Sequence, residues 1–154
     1  MDKPKAPNTL KAPNTLKAPN TLKAPPTGSK VEFQAITKEN LKAVLALSVA
    51  ESQLAVYPRS NAYSLAEAHY PPDDDLVWVR AIYAEQVPVG FIMTSEAPKR
   101  GAYYLWRLML DQNHQGLGYG AAALNLLIER IKHQKGRILL TDHLVGDADA
   151  GSFY

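Results

Sequence analysis

Cysteine is absent from the 154 residues, which excludes disulfide scaffolds, thiol catalysis and zinc sites built on thiolates. The four histidines are scattered, so no metal centre is expected. Long apolar runs are missing too. None approaches the roughly 18 residues that a membrane-spanning helix needs, and lysines and prolines stand where a secretory signal carries its apolar core. A soluble, cytoplasmic chain with about one folded domain is expected at this length.

Proline is sparse except at the start, where six of the 11 fall before residue 27. There Lys-Ala-Pro-Asn-Thr-Leu repeats three times, over 5–10, 11–16 and 17–22. Proline in every unit blocks both helix and ladder, and one leucine per repeat buries too little to offset ordering. Residues 1–30 are therefore expected to be a disordered tail, either a solvated spacer or, with six lysines against one aspartate, a contact for an acidic partner. The remaining 31–154 hold 11 Lys or Arg against 14 Asp or Glu, so the domain is net negative and no nucleic-acid partner is expected.

Within that domain Val31 to Ile36 alternates as a strand, and Thr37 is placed to cap a helix over Leu41, Val44, Leu45 and Val49. A second helix is expected over 60–69, ended by Pro71-Pro72 and the solvated acids Asp73, Asp74 and Asp75. Leu76 to Ala84, Val89 to Thr94 and Tyr103 to Leu110 read as three antiparallel strands, the first two joined by a hairpin at Glu85 to Pro88. Helical spacing returns over Ala121 to Lys132, and Arg137 to Thr141 reads as a buried strand. The fold class is α/β in the α+β sense: a mixed, mostly antiparallel sheet flanked by helices.

The most informative stretch is Gln115-Gly116-Leu117-Gly118-Tyr119-Gly120-Ala121, between a strand and a helix. Glycines let the backbone approach a ligand, and a helix N-terminus contributes roughly half a positive charge, so the stretch suits a pyrophosphate. A plain flexible turn would not need three alternate glycines, which weaken the helix they introduce. Gly116, Gly118 and Ala121, with Asp142 further on, also satisfy a dinucleotide fingerprint. Against it, five residues separate the first glycine from its strand, and the preceding hairpins do not fit a parallel doubly wound sheet.

The segment Leu108-Met-Leu110, Asp111-Gln-Asn-His114, Gln115-Gly-Leu-Gly118-Tyr-Gly120 resembles the Gln/Arg-x-x-Gly-x-Gly/Ala acetyl-CoA signature of the GNAT superfamily of N-acetyltransferases. Val79 to Tyr83, Pro88 to Ile92 and Tyr104 to Leu110 look like its bacterial spermidine or spermine acetyltransferase branch. The resemblance implies acetyl-CoA as co-substrate. The backbone N–H groups of Gly116, Leu117, Gly118, Tyr119, Gly120 and Ala121, with Gln115 beside them, would cradle the pyrophosphate. The pantetheine arm would pair with Leu108, Met109 and Leu110 like an added strand. It also implies that Tyr154, in Asp147-Ala-Asp-Ala150-Gly-Ser-Phe153-Tyr154, protonates the departing thiolate; the plain alternative is a frayed terminal aromatic. Asp147 replaces the family's usual asparagine.

No base is indicated with equal force. Trp106 stands where polyamine-acting members often carry a carboxylate on the central strand, leaving a water chain, Glu67 or the triple aspartate. Family domains continue beyond this tyrosine into closing strands, so a sheet lacking its final strands, with an edge that favours a homodimer, is expected here. The expected activity is acetyl transfer to a primary amine of a polyamine-like small molecule by direct attack. The alternatives are an inactive CoA-binding remnant or a transferase acting on a protein amine or an antibiotic.

Overall fold

The computed structural model describes residues 29–55, 57, 59–71 and 75–142. The repeats of 5–22, Pro72, Asp73, Asp74 and everything from His143 onward, including Asp147 and Tyr154, lie outside the described residues. The elements are β1 (Val31–Gln34), α1 (Leu41–Ala46), α2 (Asn61–Glu67), β2 (Leu76–Ala84), β3 (Val87–Ala97), β4 (Ala102–Leu110), α3 (Tyr119–His133) and β5 (Ile138–Thr141). They form the expected mixed, mostly antiparallel sheet flanked by helices. The five strands lie in the order β1-β2-β3-β4-β5. The first four are antiparallel to their neighbours, and β5 runs parallel to β4. That parallel pair requires a crossover, which α3 supplies.

The β2–β3 hairpin is tighter than expected. Ala84 pairs with Val87, so the loop is Glu85-Gln86 alone, with φ of 51° and 68°. Two consecutive left-handed residues match strand twist in a two-residue turn. Pro88 therefore lies within β3 opposite Tyr83, beside a register shift at Ile82/Tyr83, where a bulge accommodates its missing N–H. At α1 the cap is Asn40, not Thr37; Asn40 Oδ1 accepts from Thr37 N–H and its Nδ2 donates to the Ala35 carbonyl.

Period-two alternation divides the sheet's side chains between two cores. Ile82, Ala84, Ile92, Tyr103 and Leu105 pack with the stripe Tyr119, Ala123, Leu124, Leu127 and Ile131 of α3, whose spacing is that of one helix face. On the other face Ala81, Tyr83, Phe91, Met93 and Met109 pack with Val44 of α1 and with Tyr57 and Leu65 from the α2 region. One polar clamp crosses the α3 face. Buried Glu96 accepts both Arg130 guanidinium nitrogens, at 2.6 and 3.2 Å, and the same guanidinium lies 4.0 Å from the Trp78 ring centroid.

Candidate functional site

The site begins with an irregularity in β4. Met93 of β3 faces Arg107 and Thr94 faces Leu105, which leaves Trp106 as an extra residue. Such a bulge puts two neighbours on one face: Trp106 packs into the α1–α2 core, and Arg107 Nη2 reaches Glu67 Oε2 on α2 at 3.0 Å. On the outer edge of β4, β5 pairs only along Ala102 to Leu105. Among the described residues, Trp106 to Leu110 have no strand on that edge, which leaves this half of β4 open among them.

The loop leaving this open half is tied down on the α1–α2 side. Asp111, 6% exposed, accepts from the backbone N–H of Ser48 and from Asn113 N–H and Nδ2, and lies 3.3 Å from His114 Nδ1. Burial pushes its carboxyl upward, but the hydrogen bonds from Ser48, Asn113 and His114 outweigh this and hold it below the ordinary carboxylate value. Gln112 N–H donates to the Ser48 carbonyl at 2.8 Å. The Gln115 amide nitrogen donates to Gln53 Oε1 and to the Leu110 carbonyl, at 2.7 and 2.9 Å. Its side chain thus fastens the loop.

Past this anchor the chain turns through Gly116 at φ 72° and Gly118 at φ 80°, the latter capping α3. Both values lie where a Cβ is disfavoured. The first turn of a helix leaves its N–H groups unbonded; here the first closed bond is Ala122 N–H to Gly118 carbonyl, 3.1 Å. The N–H groups of Tyr119, Gly120 and Ala121 accordingly point out of the helix start. α3 begins at Tyr119 rather than Ala121, so Gly120 is helical, and the Tyr119 ring is buried in the core.

Several sequence expectations meet at this end of the sheet. Leu108 and Leu110 pack toward the α3 core, while Met109 is buried on the opposite face, so only their backbone borders the open edge. Glu67 is bridged by Arg59 at 2.7 Å and by Arg107 at 3.0 Å, which cancels the charge that would attract a polycation. Near it Tyr57 Oη, Ser64 Oγ and Asn61 Oδ1 are buried; burial raises the Tyr57 phenol, partly offset by Ser64 and Arg107. Asp142, at the end of β5, accepts the Tyr104 hydroxyl at 2.7 Å. The anchoring roles of Ser48, Gln53 and Asp111 were not readable from spacing, because each partner lies about 60 residues away in the chain.

The profile of the Acetyltransferase (GNAT) family matches residues 41–154. The chain is 31% identical over 111 residues to the spermine/spermidine N(1)-acetyltransferase of Bacillus subtilis strain 168, covering 66% of this chain and 68% of that one. Among solved structures, the PaiA N-acetyltransferase of Thermoplasma acidophilum, in complex with coenzyme A, superposes with a TM-score of 0.57 at 17% identity, over 81% of this chain and 86% of that one. An aminoglycoside acetyltransferase from an uncultured soil metagenomic sample gives 0.53 at 15% identity, over 81% and 82%. These structural likenesses concern the fold. The residues present fit a CoA pyrophosphate: a Cβ on Gly116 would meet nothing within 4 Å, so the loop borders open space beside the unbonded N–H groups of α3. Among the described residues, no helix is long and apolar enough to cross a membrane and no acidic, histidine or cysteine cluster could hold a metal.

Proposed function

Because this chain belongs to the GNAT family of acetyl-CoA-dependent N-acetyltransferases, we propose that it acetylates a primary amine of a polyamine-like small molecule by direct attack on the thioester. The 31% identity to a spermine/spermidine N(1)-acetyltransferase supports that acceptor class, and a chain without cysteine has no thiol for an acetyl-enzyme intermediate. The observation that carries the reading is the glycine turn at the start of α3 lying beside the open half of β4.

In this reading the N–H groups of Gly116 through Ala121 hold the pyrophosphate, and Gln115 keeps the turn in place through Gln53 and Leu110. Backbone groups of Leu108 to Leu110 align the pantetheine arm along the free edge. A backbone N–H of that half of β4 aimed at the thioester oxygen would stabilise the tetrahedral oxyanion, a contribution of roughly 3 kcal/mol per donor in comparable sites. Tyr154 is proposed as the acid that protonates the thiolate, on the resemblance alone. The acetyltransferase domain is taken as 31–154, working in the cytoplasm, with the repeats of 1–30 outside it.

Calorimetric titration of the full chain with CoA, with NAD as control, tests the reading. Saturable CoA binding is expected. Gly118→Ala should weaken it about tenfold, because a left-handed φ costs a residue with a Cβ on the order of 1–2 kcal/mol, while exposed Leu117→Ala should stay within about twofold. NAD binding, or CoA affinity untouched by Gly118→Ala, would sink the reading. A panel of spermidine, an aminoglycoside and an N-terminal peptide, followed by release of free CoA thiol, then assigns the acceptor.

A further inference from the structure

Among the described residues, three carboxylates stand near the open half of β4, and two of them are already committed. Glu67 is shared by Arg59 and Arg107, and Asp111 is consumed by Ser48, Asn113 and His114. Asp142 differs. It is exposed, and no ion pair among the described residues includes it; the Tyr104 hydroxyl donates to its Oδ2 at 2.7 Å. Neighbours Tyr103 and Leu105 pack against α3, so alternation puts Tyr104 on the α1–α2 face, with Trp106 and Arg107. Thr141 pairs with Leu105, so Asp142 is the first residue beyond the paired segment, level with the bulge at Trp106. Among the described residues, then, a carboxylate without an ion pair stands level with the bulge, beside the open half of β4, fixed by a charge-assisted hydrogen bond.

We propose that Asp142, oriented by Tyr104, is the carboxylate that binds the ammonium group of the acceptor amine and takes one proton from it. The inference rests on the acetyl-transfer reading above and deepens it. An aliphatic primary amine resembles a lysine, with a pKa near 10.4, so fewer than about one molecule in a thousand is neutral at pH 7. Transfer of one proton from R–NH3+ to the carboxylate frees the nitrogen lone pair. The C–N bond then forms as the C–S bond breaks, the acid proposed above gives its proton to the thiolate and regains one as the nitrogen sheds its second proton, and Asp142 returns its proton to water.

The test compares the parent chain, Asp142→Asn and Tyr104→Phe, each measured for CoA affinity by calorimetry and for kcat/KM with 1,4-diaminobutane between pH 7 and 9.5. Asp142→Asn should bind CoA like the parent yet lose about 100-fold or more in kcat/KM at pH 7, the usual weight of a positioned base. That deficit should shrink by roughly tenfold per pH unit, as solution supplies the neutral amine. Tyr104→Phe, which keeps the carboxylate and loses the hydroxyl that donates to it, should fall about three- to tenfold with the same trend. A deficit independent of pH, or an Asp142→Asn variant within threefold of the parent, overturns the proposal. If circular dichroism shows that Asp142→Asn does not fold, Tyr104→Phe decides by the same pH criterion. A parent that binds CoA but leaves the diamine unchanged overturns this assignment alone, whereas a parent that binds no CoA overturns the function on which it rests.

Discussion

The two faces of this sheet are covered by different means. On the α3 side one 15-residue helix lays a continuous apolar stripe over the strands, and its polar tie is the buried Glu96–Arg130 clamp. On the other side two short helices of 6 and 7 residues are too brief to be stable alone. They are held by long-range polar ties: Asn61 Nδ2 to the Val44 carbonyl, Ser48 to Asp111, Gln53 to Gln115, and Glu67 between two arginines. The difference separates work. Apolar packing fixes the scaffold that aims the glycine turn, and the hydrogen-bonded face, where local opening is cheaper, borders Trp106 and the open half of β4.

The largest effect should come from breaking the α3 side. Arg130→Met removes both guanidinium bonds and leaves a carboxylate, 6% exposed, without its hydrogen-bonded cation. Loss of one partner of a buried pair typically costs on the order of 3–5 kcal/mol. Urea denaturation should show a loss of that order. A double change, Glu96→Leu with Arg130→Met, should recover most of it, because apolar replacement of the whole pair removes the stranded charge. If the double variant is as unstable as the single one, the clamp is more than a charge-balanced bridge, and the contrast between the faces is drawn wrongly.

How much of this was legible beforehand follows the same division. Alternation in Leu76 to Ala84 and Tyr103 to Leu110, and the helical stripe after the glycine cluster, report local burial, and the structure forms those elements within a residue or two. The glycine turn was legible because positive φ, found at Gly116 and Gly118, favours a residue without a Cβ. The bulge at Trp106 was not, since one extra residue in a strand is defined only by the partner strand's register. Glu67 read as a candidate base, and its ion pairs were not legible because its two arginines come from positions 59 and 107. Asp142 stood out only as the acid of a rival dinucleotide pattern, and Tyr104 became its partner only once β5 was laid beside β4.

On the polar face a medium effect is expected at Asp111. Its folded-state carboxyl sits below the ordinary value near 3.8, so its contribution is present at pH above the unfolded value and disappears as pH falls through the lower folded one. Asp111→Asn should therefore cost about 1–3 kcal/mol at pH 7, the usual range for a disrupted buried hydrogen-bond acceptor. Against the parent, that gap should close progressively below about pH 4. CoA affinity should fall with it, because the anchored loop leads directly into Gly116. A gap that persists unchanged at pH 3 would mean that the carboxylate charge is not what holds Ser48 to the loop.

The smallest effect, and the one that most sharpens the comparison, is expected at Arg107. Its side chain is 20% exposed and shares Glu67 with Arg59, so Arg107→Ala leaves Glu67 with one cation and should cost no more than about 1 kcal/mol of stability. Removing a positive charge next to Trp106, at the start of the open half of β4, should instead favour a cationic acceptor. At low ionic strength KM for a diamine should drop by about two- to threefold while kcat and CoA affinity hold, and the gain should fade as salt shortens the reach of charge to about 10 Å at 0.1 M. A rise in KM would mean that Arg107 positions the acceptor, and that the polar ties on this face belong to substrate binding as well as to holding α2.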